Sequence, residues 1–325
     1  MAVHILILEI LQTIIGVLGM IGNGIVAVVI YKVPYMHTIT DAFIFNQAAI
    51  DFLGSLFLLL TANIPRPDSF PDTPWYHFVC HVWYSQLFLW SFFTSSTINL
   101  LALICERYIA LVFPAKYIKI YTKRAMVFMV VAVWLFGPLS QGLYMAVANK
   151  LQDGYCYTSS SVIARAWSII LIVVTFVLPS LAMMFVFGHI YKKLRRTRTD
   201  HTNDNTTTWS DEQLQPVHRA RHVALKTLLF VFVSFLVCWT LNQTLFLMFN
   251  FGWDLDFTGP LYLTSSVLVS ANLCVNPVIF AFKYKRFRRA LSSLIHGTPL
   301  SENQNLQQSE AITHETTFDV TTPMN

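Results

Sequence analysis

Residues Ile104–Pro114 read ICERYIALVFP, and they place an acid and a permanent cation, Glu106 and Arg107, at the end of a long apolar run, 79–105. Charges beside such a run are costly unless they lie at a membrane edge or serve a function. Snorkelling to the interface would account for a lone arginine. Neighbouring side chains on a helix point to different faces, so the sequence does not require these two charges to pair.

The apolar run is one of several, and together they predict a membrane protein. The chain has 325 residues, of which 55% are hydrophobic and only 12% charged, against roughly 25% charged residues in soluble domains. About 20 apolar residues are needed for a helix to cross a bilayer core about 30 Å thick. Seven runs reach that length, at 7–31, 40–63, 79–105, 125–148, 166–191, 223–250 and 258–282. We predict an all-α membrane protein, a seven-transmembrane helix bundle.

The first run also fits, in part, a secretory signal. It lacks a basic segment in front, exceeds the usual apolar length, and contains Gly22, Asn23 and Gly24 without a clear cleavage site. We therefore expect it to be retained as the first span.

Basic residues predict the orientation of the bundle, because they collect in cytoplasmic loops. With the C-terminus inside, only Arg66, Lys150 and Arg165 of the 22 lysines and arginines lie outside. The N-terminus is then extracellular and the C-terminus cytoplasmic. The net charge of +5 reflects this topology and contact with anionic membrane lipids; there is no nucleic-acid motif.

The spans divide the chain into four parts. These are a short extracellular N-terminus (1–6), the bundle (7–282), a short amphipathic surface helix (283–296) and a disordered cytoplasmic tail (297–325). The helix after span seven alternates basic and apolar positions in a pattern typical of a helix lying on a membrane surface.

Two of the five cysteines fall at extracellular boundaries. Oxidising conditions there allow a disulfide between Cys80 and Cys156, which would tether the second outer loop across the mouth of the bundle. Two free thiols are the alternative.

Polar residues inside the spans indicate an internal site. Asn23 lies at mid-depth, where an amide has to face protein rather than lipid. An isolated carboxylate at the depth of Asp51 marks an ion or proton site by default, and the alternative is a neutral, hydrogen-bonded packing acid.

These features together resemble the rhodopsin-like (class A) G-protein-coupled receptors, from residue 7 to about residue 295. The motifs occur together and in order. They are Gly22 with Asn23, Asp51, Glu106, Arg107 and Tyr108 with Pro114, Trp134, Pro179, Phe235 with Cys238 and Trp239, and Asn276, Pro277, Val278, Ile279 and Phe280 followed by Phe287.

The resemblance implies a plasma-membrane receptor that couples to a heterotrimeric G protein. Arg107 would be held by Glu106 and released when span six swings outward, with Trp239 shifting when an agonist binds above it. The implied coupling and switch residues are Glu106, Arg107, Tyr108, Pro114, Asn276, Pro277 and Phe280. The implied sodium pocket is Asp51, Ser96, Asn272 and Asn276, and no other cofactor or metal is implied.

The chain departs from the family at several positions. Phe280 and Phe187 stand where two tyrosines usually meet through water, and Leu241 replaces the usual proline of span six. Cys80 lies two residues further from Arg107 than usual, so the outer end of span three is expected to be irregular. Arg221 occupies a place where some members carry an acid that reaches Arg107, which argues against a bridge between spans three and six.

The resemblance also limits the ligand. Leu89 stands where amine receptors carry an aspartate, and Ser270 where opsins carry the retinal lysine, so neither a biogenic amine nor retinal is expected. The remaining candidate ligand pocket is aromatic and amide-rich, although helix packing is an alternative role for each residue. It comprises Gln86, Leu89, Trp90, Phe93, Trp239, Asn242, Gln243, Phe246, Tyr262 and Ser266.

A neuropeptide is the favoured ligand. The segments CWTLNQ (238–243) and NFGWDLDF (250–257) resemble peptide or orphan receptors of the somatostatin, galanin and allatostatin kind. The outer acids outnumber the three outer basic residues, so a basic ligand is attracted. A small lipid or nucleoside-like ligand is the alternative.

Other functional classes fit less well. A transporter would show internal repeats with matching broken helices, and none is evident. We expect no enzyme activity, since Asp51 has no second carboxylate or histidine with which to form an intramembrane dyad. Serines and threonines in the tail suit receptor kinases and arrestin.

Overall fold

The computed structural model describes residues 2–64, 71–159, 161–203, 211–257 and 259–296, apart from the side chains of 2, 193–226, 228 and 285. The predicted disordered tail (297–325), with its kinase sites, and the side chain of Arg221 lie outside this description.

Helices account for most of the described residues. They are α1 (Ala2–Lys32), α2 (Ile39–Asn63), α3 (Pro74–Val79), α4 (Leu87–Val112), α5 (Pro114–Ile120), α6 (Lys123–Ala148), α7 (Val162–Ile172), α8 (Leu178–Asn203), α9 (Asp211–Asn250), α10 (Pro260–Lys283) and α11 (Lys285–His296). A short 3₁₀ helix covers Pro34–Met36, and π-helical turns at Cys80–Tyr84 and Val173–Val177 join α3 to α4 and α7 to α8. Strands β1 (Asn149–Gln152) and β2 (Tyr155–Thr158) form an antiparallel hairpin.

Within the described residues, seven stretches are long and apolar enough to cross a membrane, as predicted. We number them as spans one to seven. They are Val3–Lys32, Ile39–Asn63, Pro74–Val112, Lys123–Ala148, Val162–Lys192, Leu229–Asn250 and Pro260–Lys283. The first helix begins at Ala2, so most of the predicted N-terminal segment (1–6) continues the helix of span one instead of preceding it. The amphipathic helix predicted at 283–296 is α11.

Span three lies at the centre of the bundle, where it packs against spans two, four and five. Span one packs against spans two and seven, and span six against span seven. The largest apolar cluster joins spans three, five, six and seven through residues such as Phe93, Phe235 and Leu273. The outer faces are apolar as well, with Phe128 74% and Phe185 66% exposed. Such faces suit contact with lipid, since a soluble protein rarely exposes large apolar areas.

The two ends of the bundle differ. We call the end that carries Cys80, Cys156 and the hairpin the Cys80 end, and the opposite end, with α5 and α11, the Arg107 end. The predicted disulfide joins Cys80 to Cys156, with the two Cα atoms 5.7 Å apart.

The predicted irregularity of span three is confirmed. A π-helical turn covers Cys80–Tyr84, and Gln86 has a left-handed backbone with φ 58°. A π turn accommodates one extra residue in a helix, so this segment absorbs additional chain without displacing the rest of span three.

Two short elements were not predicted from the sequence. The hairpin places Cys156 on β2, and its turn, Asp153 and Gly154, has positive φ at both positions; the Asp-Gly pair is a strong hairpin signal. The other element is α5, which Pro114 begins and which contains the first half of the basic stretch from Lys116 to Arg124. Proline fits the first helical position because its φ is already helical and its missing N–H is not needed there.

Span four approaches span three closely at Gly137. A Cβ atom at Gly137 would collide with the backbone carbonyl of Ser91 and the hydroxyl of Ser95, whereas a Cβ at Gly142, on the same helix, would meet nothing within 4 Å. The Ser95 hydroxyl donates a hydrogen bond to the Val133 carbonyl at 3.1 Å across the same contact. The glycine therefore sets the distance between these two spans.

We expect Gly137→Ala to destabilise the protein, since an overpacked contact costs about 1–3 kcal/mol and the backbone of Ser91 cannot rotate away. Gly142→Ala is the matched control and is expected to be neutral or slightly stabilising, because alanine favours a helix over glycine. Thermal unfolding of both variants in detergent, followed by tryptophan fluorescence, checks the difference. Equal midpoints would show that spans three and four can separate without cost.

Candidate functional site

Asp51 lies at the centre of a fully buried polar group between spans two, three and seven. Its Oδ1 accepts a hydrogen bond from the Ser96 hydroxyl at 2.7 Å, and its Oδ2 accepts from Gln47 Nε2 at 2.9 Å and from Asn276 Nδ2 at 2.8 Å. Gln47 Nε2 also donates to Ser96 Oγ at 2.6 Å. The carboxylate therefore ties three spans together.

The predicted sodium-pocket residues thus meet in part. Ser96 and Asn276 contact Asp51 directly, whereas the Asn272 Nδ2 atom is buried and has no hydrogen-bond partner in the described part of the chain. Gln47 was not predicted, although its position four residues before Asp51 puts both on one helix face. The sodium ion itself stays a prediction.

A chain of side-chain hydrogen bonds leads from span four to this group. The Trp134 indole donates to Asn46 Oδ1 at 2.8 Å, Asn46 Nδ2 donates to Asn99 Oδ1 at 2.8 Å, and Asn99 Nδ2 donates to Gln47 Oε1 at 2.8 Å. An indole N–H can only donate, so it fixes the orientation of each amide that follows. Gln47 is left with its NH₂ group facing Asp51.

Asn23 faces protein, as its depth predicted, and it links span one to span seven. Its Nδ2 donates to the Leu273 carbonyl at 2.7 Å and to the Gly19 carbonyl at 2.9 Å, and the side chain is 1% exposed. The amide faces protein, and it satisfies a carbonyl of span seven one turn before Pro277.

Glu106 and Arg107 do pair, although the sequence did not require it. Arg107 Nε lies 2.6 Å from Glu106 Oε2, and its NH2 atom lies 2.7 Å from Oε1. Glu106 also accepts hydrogen bonds from Thr40 Oγ1 at 2.9 Å and from the Tyr117 hydroxyl at 2.8 Å. Span two and α5 therefore hold the acid, and the acid holds the arginine.

The two partners differ in exposure. Glu106 is fully buried, whereas the Arg107 side chain is 30% exposed. Burial and the Glu106 carboxylate raise the pKa of the Tyr117 phenol, so the hydroxyl stays protonated and donates. Arg107 is thus the member of the pair that has access to a partner from solution.

Tyr108 joins span three to span five at the Arg107 end. Its hydroxyl lies 2.7 Å from His189 Nδ1, and the two ring centroids are 5.7 Å apart. His189 was not among the predicted residues, and no local sequence signal marks it.

The two phenylalanines that replace tyrosines lie in different apolar clusters. Phe187 stacks on Phe232 of span six, with centroids 5.4 Å apart. Phe280 is buried with Phe43 and Phe287 in a second, separate apolar cluster. Span six continues as a helix through Leu241, where the family usually has proline.

A third buried carboxylate, Asp41, ties α11 to the start of span two and was not predicted. Its Oδ2 accepts from Thr38, which caps span two, and its Oδ1 accepts from the Tyr284 hydroxyl at 3.0 Å. Arg286 lies 3.4 Å from Oδ2 and also donates to the Tyr35 carbonyl. Burial, followed by the effect of Asp41, raises the pKa of the Tyr284 phenol, so it remains a donor.

Three of the predicted ligand-pocket residues, Leu89, Trp90 and Phe93, lie in one group with Trp239. The Trp239 ring packs edge-on against Phe93 at 5.7 Å, and Phe93 packs against Trp90 at 5.6 Å. Leu89 belongs to the same cluster. The buried Trp239 Nε1 atom has no hydrogen-bond partner among the described residues.

One face of span six continues this group towards the Cys80 end. Trp239, Asn242, Gln243 and Phe246 follow the i, i+3, i+4, i+7 spacing of a single helix face. Phe246 packs edge-on against Tyr144 of span four at 6.1 Å. Phe246 therefore faces span four, and its neighbour Tyr144 was not among the predicted residues.

The amides on this face differ. Asn242 Nδ2 donates to Ser265 Oγ of span seven at 3.4 Å, whereas the neighbouring Gln243 is 7% exposed. Tyr262 packs against Phe257 at 5.0 Å. Gln86 and Ser266 are half-buried, and their carbonyls accept hydrogen bonds within their own spans.

Comparison with known proteins gives one family. The family described as 7 transmembrane receptor (rhodopsin family) matches residues 22–280. Similar proteins include the RYamide receptor of Drosophila melanogaster, 26% identical over 87% of this chain and 62% of its own length. The trace amine-associated receptor 9 of Mus musculus is 24% identical, with 91% and 87% covered, and the allatostatin-A receptor of Bombyx mori is 25% identical, with 88% and 78% covered.

Proposed function

Because the chain belongs to the rhodopsin family of seven-transmembrane receptors, we propose that it binds a peptide at the Cys80 end and activates a heterotrimeric G protein at the Arg107 end. The observation that carries the proposal is the arrangement of Arg107. The arginine is bound by a neighbour on its own span, and that neighbour is held by Thr40 and Tyr117. Arg107 can therefore exchange one partner for another without unfolding any element.

The distribution of charge supports this orientation. Basic residues follow Arg107 closely in the chain: Lys116 and Lys119 lie on α5, and Lys123 and Arg124 lie at the start of α6. Lysine and arginine collect on the cytoplasmic side, so the Arg107 end faces the cytoplasm and the Cys80 end faces outward at the plasma membrane. A disulfide at the outer end agrees with oxidising conditions there.

A peptide is favoured over an amine. Among the relatives, those from Drosophila melanogaster and Bombyx mori are named for RYamide and allatostatin-A, whereas the mouse protein is named for trace amines. Leu89, at the place where amine receptors carry their aspartate, is 3% exposed and packs in the apolar cluster with Phe93. A protonated amine would find no carboxylate there. Exposed acids at the Cys80 end, such as Asp153 and Asp254, would attract a basic peptide.

The test is nucleotide exchange with the receptor reconstituted in lipid nanodiscs. A panel of purified G proteins is combined with a library of peptides and, in parallel, a set of amines. We expect at least one peptide to accelerate exchange. Acceleration by amines alone would contradict the peptide assignment, and solute transport by reconstituted vesicles without any G protein would contradict the receptor mechanism.

Gln243 provides a variant that tests the pocket. We expect Gln243→Leu to lower peptide potency about 2–10-fold, because one hydrogen bond from a ligand is worth roughly 0.5–1.5 kcal/mol, and to leave basal exchange unchanged. Thr244→Ala is the matched control, since Thr244 is exposed and bonds only to Thr240 of its own helix at 2.7 Å. Concentration–response curves check both variants. Equal potency in Gln243→Leu and the wild type would remove Gln243 from the pocket.

A further inference from the structure

The family resemblance implies a sodium ion beside Asp51, and the geometry can be tested for such an ion. Alkali and alkaline-earth cations are hard ions that need oxygen lone pairs as ligands. Both Asp51 oxygens already accept hydrogen bonds, Oδ1 from Ser96 and Oδ2 from Gln47 and Asn276. The Ser96 oxygen in turn accepts from Gln47. The oxygens that a cation would use therefore have N–H and O–H groups directed at them.

The orientation of Gln47 is not free to change. Turning its amide over would bring its NH₂ group against Asn99 Nδ2, which is itself a donor because Asn99 Oδ1 accepts from Asn46. Asn46 in turn accepts from the Trp134 indole, which has no acceptor to offer. Reversing Gln47 would thus leave at least one buried pair of donors facing each other. The amides of Asn46 and Asn99 therefore hold Gln47 with its NH₂ group, which carries a partial positive charge, directed at Asp51.

We propose that the Gln47 amide takes the place of a sodium ion at Asp51, so that the polar centre of this receptor is closed by the protein itself and is insensitive to sodium. The residues present do not fit the ion that the family resemblance implies. The Gln47 NH₂ group carries a partial positive charge and donates to both Asp51 and Ser96, two of the residues whose oxygens the implied ion would use. Gln47 is 0% exposed, so no solvent competes for this position.

A consequence concerns the two states of the receptor. An ion that binds one state more tightly than another shifts the equilibrium between them, and its effect depends on its concentration. An amide built into span two cannot dissociate. The link between spans two, three and seven is therefore constant, and the resting equilibrium should not follow the salt outside the cell.

The experiment compares sodium with a cation too large for the site. The full-length receptor, purified in detergent, is unfolded thermally in sodium chloride, potassium chloride or N-methyl-D-glucamine chloride at the same ionic strength. The wild-type midpoint is expected to be the same in all three salts. A wild-type midpoint that rises in sodium chloride by about 3–6 °C, the rise expected for a ligand at tenfold its dissociation constant, overturns the proposal.

Two variants test whether Gln47 is what excludes the ion. Gln47→Glu keeps an oxygen for Asn99 and turns a second oxygen towards Asp51, which makes a two-carboxylate cation site. Gln47→Leu removes the donor, while Asn99 Nδ2 keeps its bond to the Phe43 carbonyl at 3.1 Å. We expect the sodium-dependent rise of about 3–6 °C to appear in Gln47→Glu, with a smaller rise in Gln47→Leu.

The variants also make the proposal falsifiable. A folded Gln47→Glu receptor that gains no sodium dependence overturns the proposal, because the position would then not coincide with a cation site. If neither variant folds, the midpoint of the wild-type receptor in the three salts still tests whether sodium binds. The thermal readout needs neither ligand nor G protein, so its outcome is separate from that of the proposed receptor function.

Discussion

Arg107→Ala is expected to abolish G-protein activation and to leave ligand binding largely intact. Arg107 is the charged group of the motif that reaches solvent, at 30% exposure. Along span three it lies about 21 Å from Phe93, at 1.5 Å per residue, and Phe93 is the residue that packs against Trp239. Removing Arg107 takes away the cation proposed to meet the G protein, whereas the candidate ligand pocket loses no contact. Ligand-stimulated nucleotide exchange and ligand binding, measured on the same preparation, check the two halves of this expectation.

Glu106→Gln changes the acid of the same ion pair and is expected to raise basal nucleotide exchange, whereas Arg107→Ala abolishes activation. The amide keeps the size of the acid and can still accept from Thr40 and Tyr117, but the charge that holds Arg107 is lost. A coupling free energy of about 1–3 kcal/mol changes an equilibrium constant about 5–150-fold. The rate of basal nucleotide exchange should rise within that range. A fall in nucleotide exchange in Arg107→Ala together with a rise in Glu106→Gln would exclude misfolding as the cause, because misfolding would lower exchange in both variants.

Tyr117→Phe is the graded control for this pair. It removes one neutral donor to Glu106 (2.8 Å) and leaves the charges in place. Basal exchange should rise less than in Glu106→Gln. Full signalling by Arg107→Ala would contradict the role assigned to the arginine. A fall in basal exchange in Glu106→Gln would show instead that Glu106 helps the active state.

The number of spans and their approximate limits could be predicted because the information is local. A run of apolar residues long enough to cross a bilayer has few alternatives. Asn23 and Asp51 could be recognised as internal for the same reason, since polar groups at that depth have to face protein. The pairing of Cys80 with Cys156 followed from the shared redox environment of the outer loops.

The contacts between spans were harder to predict, because they depend on helix rotation and not on sequence spacing. Thr40 lies 66 residues from Glu106 along the chain and Tyr117 lies 11, and the packing of span two and α5 against span three brings both side chains to it. Gln47 is different. It lies one helical turn before Asp51, so the helix spacing was enough to predict a contact between them. The neighbouring sequence contained no sign that Trp134, on another span, would orient its amide.

Asp51→Asn is expected to be among the most damaging single substitutions. The carboxylate accepts from three donors, and asparagine replaces one accepting oxygen by a donating NH₂ group. At the Oδ2 position that group would face the NH₂ groups of Gln47 and Asn276. An unsatisfied buried donor costs about 1–3 kcal/mol, so two such donors should lower the midpoint of thermal unfolding by at least about 4 °C. The measurement is made without sodium, so that no cation contributes.

Exchanging the two residues separates this explanation from simple loss of charge. In the double variant Asp51→Asn with Asn276→Asp, the new NH₂ group at position 51 faces a carboxylate at position 276, so the bond between spans two and seven is restored with its direction reversed. Gln47 keeps only Ser96, at 2.6 Å, and loses its bond to position 51. We therefore expect the double variant to recover about half of the lost stability, since one of two bonds is remade.

The two variants also report on the state of Asp51 in the wild type. A protonated Asp51 would carry a donor of its own, and asparagine would then imitate it at little cost. A single variant as stable as the wild type would thus mean that Asp51 is neutral and that Asn276 presents its oxygen to it. A large loss in the single variant, with partial recovery in the double variant, requires an ionised Asp51 that accepts from three sides. Only that state needs a fixed partial positive charge beside it, which is the role that the geometry gives to Gln47.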